Sequence, residues 1–195
     1  MLFRSARIVR GSLRRPVRHP AARRRFTGSH EIGSRGGSFP SVFWLNDHPA
    51  PIDPASWRLE VRGRVARPLD LRASDLADLP TTTREVALDC TGGWFTVQQW
   101  TGVPLADLLA EAGADRRAAS VRVVGVTGYG RRFSLHRAGD LLLATHVAGE
   151  PLDHGHGAPL RLVVPGRRGF DWVKWIVAVE VDDTPAWWQS PLPIT

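Results

Sequence analysis

The sequence predicts an α+β fold in which strands dominate. Three observations carry that reading. Short runs of alternating or β-branched apolar residues recur along the chain. Only two segments, both short, show helical spacing. These helices do not alternate regularly with the strands, which excludes a doubly wound sheet. A chain of 195 residues suits one domain with a substantial core.

Residues 1–36 read as a basic, disordered arm and linker ending in GSRGGS, and residues 37–195 as the folded body. The body opens with FPSVFWLNDHPAPID, whose prolines disfavour regular structure. WRLEVRGRV follows, with Trp57, Leu59 and Val61 on one face and Arg58, Glu60 and Arg62 on the other, as in a half-buried strand. LDLRASDLADLP holds a short helix, with Ser74 as N-cap and Pro80 as stop. TTTREVALDC is a strand that delivers Cys90, and TGGWFTVQQWTG reads as an aromatic, glycine-punctuated loop. In VPLADLLAEAG, Leu105, Leu108, Leu109 and Ala112 share a helical face and Gly113 ends the helix. SVRVVGVTGYGRRFSL gives two strands around a Gly-Tyr-Gly turn. AGDLLLATHVAGEPL is a short helix or strand followed by a hairpin. PLRLVVPG is a strand, GRRGFDW a loop, and KWIVAVEVDD the last strand.

The net charge of +7 is unevenly spread. Nine arginines lie within residues 1–25 and no acid precedes Glu31, so the remaining 17 basic residues face 19 acids. The basic character therefore belongs to the arm. Such an arm suits a solvated tail, a transit peptide, or peripheral contact of residues 1–25 with anionic lipid, or non-specific contact with nucleic acid. Nothing points to specific nucleic-acid recognition. A twin-arginine signal would need an apolar stretch after RRRFTGSH, which is missing. No run reaches the roughly 18 apolar residues needed to span a bilayer. Without a recognisable export signal the expected location is the cytoplasm, with a periplasmic or membrane-associated site as the alternative.

Cys90 is the single cysteine, so an internal disulfide is excluded. Three uses remain open from its local sequence: a small buried hydrophobe, a metal ligand, or a nucleophile paired with one of six histidines beyond the arm. A structural zinc site lacks the second cysteine and finger spacing it would need. Asp89, next in the chain, would disfavour a thiolate. A second cluster lies in DHGHGAPLRLVVPGRRGFDWVKW, with His154, His156, Arg161, Arg167, Arg168 and Lys174, the only lysine. Strand parity turns Arg161 away from the face of Leu160 and Leu162. Cations around glycine loops suit a phosphate, although Arg167 and Arg168 equally fit a solvated loop. A third group, Asn46, Asp47 and His48, sits in a proline-held loop where turn chemistry also favours Asn and Asp.

Taken in order, these segments resemble a known family. The pattern is FxxxxHPxP, a strand ending in cysteine, WxGxxLxxLL, HGxPxRLVVPGxxGxxxVKW and a terminal WQ. It is similar to the molybdopterin-binding domain of the sulfite oxidase family, including its bacterial methionine-sulfoxide reductase branch, and covers Phe43 to Trp188. The resemblance implies a sulfite-oxidase-type molybdopterin-binding fold and the molybdenum-molybdopterin cofactor (Moco). It implies that Cys90 supplies the protein sulfur to the metal and acts as the catalytic position. It places Asn46, His48, Thr127, His156, Arg161, Trp172, Val173 and Lys174 around the cofactor.

The resemblance also implies a small-molecule substrate, oxygen-atom transfer, and a redox partner such as a b-type cytochrome. The chain departs from sulfite oxidases in two places. TGGWFT follows the cysteine where they carry an arginine, and Asn46 stands where they carry another. Their active-site tyrosine is not evident, since Tyr129 is the only tyrosine. Neither a haem domain before the body nor a dimerisation domain after it is expected. Animal-type sulfite oxidation is therefore not expected. Trp94, Phe95 and Trp100 suit an apolar substrate pocket or the core. The competing readings are a cofactor-free or cofactor-sequestering module that docks through its arm to a membrane or nucleic acid, and a cysteine-dependent hydrolase or transferase.

Overall fold

The structure is a computed structural model that describes residues 27–43 and 49–191. The arm over residues 1–26 and the loop positions Asn46 and His48 lie outside the described residues. Two mainly antiparallel sheets share one hydrophobic cluster that includes Leu59, Val61, Leu88, Trp100, Leu143 and Val179.

The first sheet is built on a hairpin. Strands β4 (Thr82–Asp89) and β5 (Trp94–Pro104) pair antiparallel from Thr82↔Gly102 to Asp89↔Phe95. β5 then pairs with β8 (Leu142–Val147), whose other edge pairs with β10 (Arg161–Val163) at residues 142–144 and with β9 (Glu150–Pro151) at His146 and Val147. A short first strand, β1 (His30–Glu31), adds parallel to β5 at Trp94 and Phe95. The second sheet runs β3 (Leu69–Leu71), β2 (Leu59–Gly63), β11 (Ile176–Asp182), β6 (Ser120–Gly125) and β7 (Gly130–Ser134). Helices α1 (Ala73–Ala77) and α2 (Leu105–Glu111) fill connections, and Leu105, Leu108 and Leu109 of α2 are buried as their spacing predicts.

Three segments differ from the sequence expectation. TGGWFTVQQWTG is not a loop: all but its first three residues belong to β5, the longest strand described. Its polar inward residues hid the pattern. Thr96 and Gln98 are fully buried, yet Gln98 donates to Gly33 O (2.6 Å) and Thr96 Oγ1 (2.7 Å) and accepts from Gly37 N–H (3.2 Å). Buried polar atoms are tolerated once paired, and the pairing comes from a strap distant in sequence. That strap is the second departure. Residues 30–36, assigned to the linker, lie along the sheet, with Ile32 N–H on Phe95 O, Arg35 N–H on Val97 O and an Arg35–Glu85 ion pair.

The third departure is the start of α1. The N-cap is Arg72 rather than Ser74, and the Asp75 carboxylate accepts the Arg72 N–H at 2.8 Å. The GRRGFDW segment is partly regular, since Gly169–Asp171 forms a 3-10 turn. Among the described residues no helix is long and apolar enough to cross a membrane.

Candidate functional site

The hairpin turn between β4 and β5 presents the thiol. Cys90 N–H bonds Trp94 O at 2.8 Å, closing a loop of Thr91, Gly92 and Gly93. Gly93 takes φ +83°, a left-handed conformation that glycine adopts without penalty. The Gly92 N–H points at Cys90 Sγ, 3.3 Å away. Cys90 is buried yet lines a cleft walled by aromatic side chains, among them Phe39, Trp94, Phe170 and Trp175.

The Asp89 carboxylate is turned to other partners. Its carboxylate accepts from Ser29 Oγ at 2.7 Å and lies 3.9 Å from Arg168 Nε. Arg168 in turn donates to Cys90 O at 3.0 Å. The hairpin is thus braced by the strap on one side and the 165–171 loop on the other. Gly169 packs beneath it, where a Cβ would meet the Cys90 Cα at 3.4 Å.

Arg161 closes the cleft floor. It is 3% exposed, with its guanidinium carbon 5.3 Å from the Trp100 ring centre and 5.6 Å from that of Trp172. One terminal nitrogen donates to His156 O at 3.0 Å, while Nε is buried without a hydrogen-bond partner. Burial pushes the guanidinium down to about 10, offset in part by Cys90 and Asp153. A buried cation with an open donor is costly unless an anion completes it. The parity argument holds in part: Leu160 and Leu162 are buried in the core, and Arg161 faces the other way, but that side is also covered.

The opposite wall is the 153–157 turn. His156 Nδ1 meets Asp153 Oδ2 at 2.9 Å and Nε2 meets Phe39 O at 3.0 Å. Burial opposes the Asp153 charge, but the His156 amide and ring, together with Lys174, hold that carboxyl below its usual range. Lys174 Nζ donates to Gly155 O, Val42 O and Ser41 Oγ.

The structure brings Cys90, Thr127, His156, Arg161, Trp172 and Lys174 to one cleft. Val173 is not on its lining: it is buried and its carbonyl accepts the Leu162 N–H at 2.8 Å. Of the three aromatics around the hairpin, Trp94 lines the cleft, Trp100 is core beneath Arg161, and Phe95 lies off the lining. Sequence reasoning missed Phe39, Ser41, Phe170 and Trp175, and did not place Tyr129, whose hydroxyl donates to Phe170 O on the cleft rim. Those aromatics come from three stretches far apart in sequence, so no local spacing announces them. Asp153 was legible, three residues before His156 in DHGH. Among the described residues no group of three or more His, Cys, Asp or Glu is arranged to hold a metal ion.

One soft thiol, one incomplete buried cation and aromatic walls define a domain that holds an anionic, sulfur-ligated cofactor. The chain belongs to the oxidoreductase molybdopterin binding domain family, whose model matches residues 46–189. It is 34% identical to mitochondrial sulfite oxidase of Mus musculus, over 89% of this chain and 40% of that protein. It is 31% identical to the protein-methionine-sulfoxide reductase catalytic subunit of Gluconobacter oxydans, over 86% of this chain and 59% of that protein. The sulfane dehydrogenase SoxCD from Paracoccus pantotrophus superposes with a TM-score of 0.66 at 31% identity, covering 69% of this chain and 40% of that chain. The chain thus spans 40 to 59% of the length of these curated relatives. The family's cofactor is the molybdenum-pterin group, and the open Arg161 donor beside the Cys90 thiol fits its phosphate and its metal.

Proposed function

We propose that this chain is the catalytic domain of a molybdenum-pterin-dependent oxidoreductase that transfers an oxygen atom to or from a small substrate other than sulfite. The observation that carries the reading is the buried Arg161, with its unpartnered Nε, in the same cleft as Cys90. Cys90 would supply the protein sulfur to the metal. Arg161 would pair with the cofactor phosphate through charge-assisted hydrogen bonds. His156, held by Asp153 and Phe39 O, fixes the wall against which the pterin would lie. Bound there, the group supplies two-electron redox chemistry at a metal coordinated by sulfur.

The residues of the chain set the surroundings of that chemistry. Trp94, Phe170 and Tyr129 narrow the approach to the thiol and limit water. Thr91 and the two glycines after Cys90 supply no cation of their own, so the cations near the thiol are Arg161 and Arg168 from later in the chain, and the missing arginine is our reason to read the substrate as other than sulfite. Electrons would be exchanged with a separate redox partner, in our reading a b-type cytochrome. The arginine-rich residues 1–25 would sit against an anionic membrane surface nearby.

The test is metal and pterin content. Full-length protein purified from a host that makes the cofactor is expected to hold close to one equivalent of each. Less than about a tenth of an equivalent of molybdenum and pterin would sink the enzyme reading, since the linked stabilisation by bound ligand would then be absent.

A further inference from the structure

We propose that Arg168 is a positioning residue for the Cys90 ligand. From behind the hairpin it fixes the Cys90 carbonyl, and with it the direction in which the thiol enters the cleft. This rests on the reading of Cys90 as the metal ligand. The family motif leaves the two positions before Gly169 open, so the resemblance assigns Arg168 no part in the site.

Arg168 approaches Cys90 from outside the cleft, whose lining does not include it. Its neighbour Arg167 is exposed, whereas the Arg168 side chain is 24% exposed. The two segments meet backbone to backbone at a parallel bridge between Asp89 and Arg168. Gly169 then lies against the turn, where a Cβ would meet Asp89 O and Cys90 Cα at 3.4 Å each. This close approach sets the Arg168 guanidinium beside the end of β4. Nη2 donates to Cys90 O at 3.0 Å. Nε is buried without a hydrogen-bond partner, 3.9 Å from Asp89 Oδ1.

The turn needs that donor. Its own amides reach Cys90 at the long end of hydrogen-bond distances: Gly93 N–H to Cys90 O at 3.3 Å and Gly92 N–H to Sγ at 3.3 Å. The guanidinium supplies a shorter, charge-assisted bond to the same carbonyl. Peptide planes are rigid, so a residue's position turns on two soft dihedrals. Trp94 O holds the plane on the amide side of Cys90 at 2.8 Å, and Arg168 holds the plane on its carbonyl side. With both planes held, the direction of the Cys90 Cβ and Sγ follows. Contacts from the strap grip the neighbours instead, with Ser29 Oγ on Asp89 Oδ1 at 2.7 Å and His30 N–H on Gly93 O at 3.0 Å.

Arg168→Met and Arg168→Lys are prepared as full chains, without cofactor and loaded with it. Alkylation of Cys90, the only thiol, by iodoacetamide is timed on the cofactor-free proteins, beside amide exchange in β8. The Mo(V) electron paramagnetic resonance signal is recorded on the loaded proteins after partial reduction. Arg168→Met is expected to alkylate about tenfold faster, the worth of one hydrogen bond to a charged group, with β8 exchange unchanged and the Mo(V) signal shifted. Arg168→Lys keeps a charged donor, so it is expected to stay within about threefold of the wild-type rate and to keep the wild-type signal.

Wild-type alkylation in Arg168→Met overturns the proposal. So does faster alkylation that tracks an equal rise in β8 exchange, because Arg168 would then serve only the stability of the fold. A wild-type Mo(V) signal from loaded Arg168→Met also overturns it. If Arg168→Met fails to fold, Arg168→Gln, with a neutral donor on a shorter arm, takes its place and the same outcomes decide. Failure of every protein, wild type included, to take up molybdenum would defeat the functional reading instead, and alkylation would still decide whether Arg168 fixes the thiol.

Discussion

The two walls of the cleft are built in opposite ways. The Cys90 wall is a hairpin whose strands pair along eight residues and whose turn is closed by backbone hydrogen bonds. The facing wall, residues 39–43 against 153–157, has no strand pairing across it and is joined by side chains to backbone oxygens. A ladder holds its atoms to a narrow range of positions, because moving one pair breaks its neighbours. Side-chain contacts can be made and released one at a time. On the proposed reading, the rigid wall would hold the metal ligand and the adjustable one would admit the cofactor.

The largest expected effect tests the rigid wall. Cys90→Ser should lower turnover by about a thousandfold, because on the proposed reading the metal would lose a ligand that tunes several kcal/mol of catalysis. Much of the pterin should remain, since the other wall and Arg161 would still hold it. Full activity in that variant would remove Cys90 from the metal. Gly102→Ala strikes the same wall from behind. A Cβ there would lie 2.0 Å from Leu143 O, at the register shift where β5 meets β8. Overpacking against backbone should cost about 3 kcal/mol in denaturant unfolding. A cost near zero would show that the β5 ladder yields, and the contrast between the walls would fail.

Arg161→Met separates cofactor binding from stability. Burial holds the guanidinium at about 10, below its unfolded value, so its cost to folding is present at every pH below that and is relieved only above it. Removing the cation should leave the cofactor-free chain as stable or about 1 kcal/mol more stable. The same change should lower pterin occupancy about tenfold or more. Unchanged occupancy would take Arg161 out of the cofactor site.

The smallest effect concerns the adjustable wall. The folded Asp153 carboxyl lies below its usual range, so its contribution is full above the ordinary carboxylate value and is lost as pH falls through the lower folded value. Amide exchange in residues 153–157 should therefore stay slow under acid conditions that protonate free carboxylates. Asp153→Asn should abolish that margin. Its effect on global stability should stay under about 1 kcal/mol, because the side chain is 66% exposed. A variant with the same acid profile as wild type would mean that the ion pair does not hold the turn.

Most strands and both helices were legible, because their buried faces carry aliphatic residues at regular spacing. Leu59 and Val61 on β2, and Leu105, Leu108 and Leu109 on α2, are examples. β5 was not, because Thr96 and Gln98 point inward and are satisfied only by the strap. The strap itself, with Gly33, Ser34, Gly36 and Gly37, looks like a linker by composition. It is held by its backbone on the edge of β5, which composition does not report. For the site, motif order brought out Cys90, His156 and Arg161. The roles of Asp89, Val173 and Lys174 depended on where each side chain or carbonyl points.

The sequence by itself determined the fold class and the strand that leads to Cys90, which rest on periodicity along the chain, and resemblance to a family motif singled out His156 and Arg161. The tertiary structure decided what each charged group faces. Asp89 is turned to Ser29 and Arg168, Arg161 is enclosed between two tryptophans with one donor open, and Lys174 bonds Val42 and Gly155 at the cleft rim. The physical reason is range. Periodicity is a property of neighbours in sequence, whereas desolvation and hydrogen-bond partners come from residues as far as 133 positions away, as between Lys174 and Ser41.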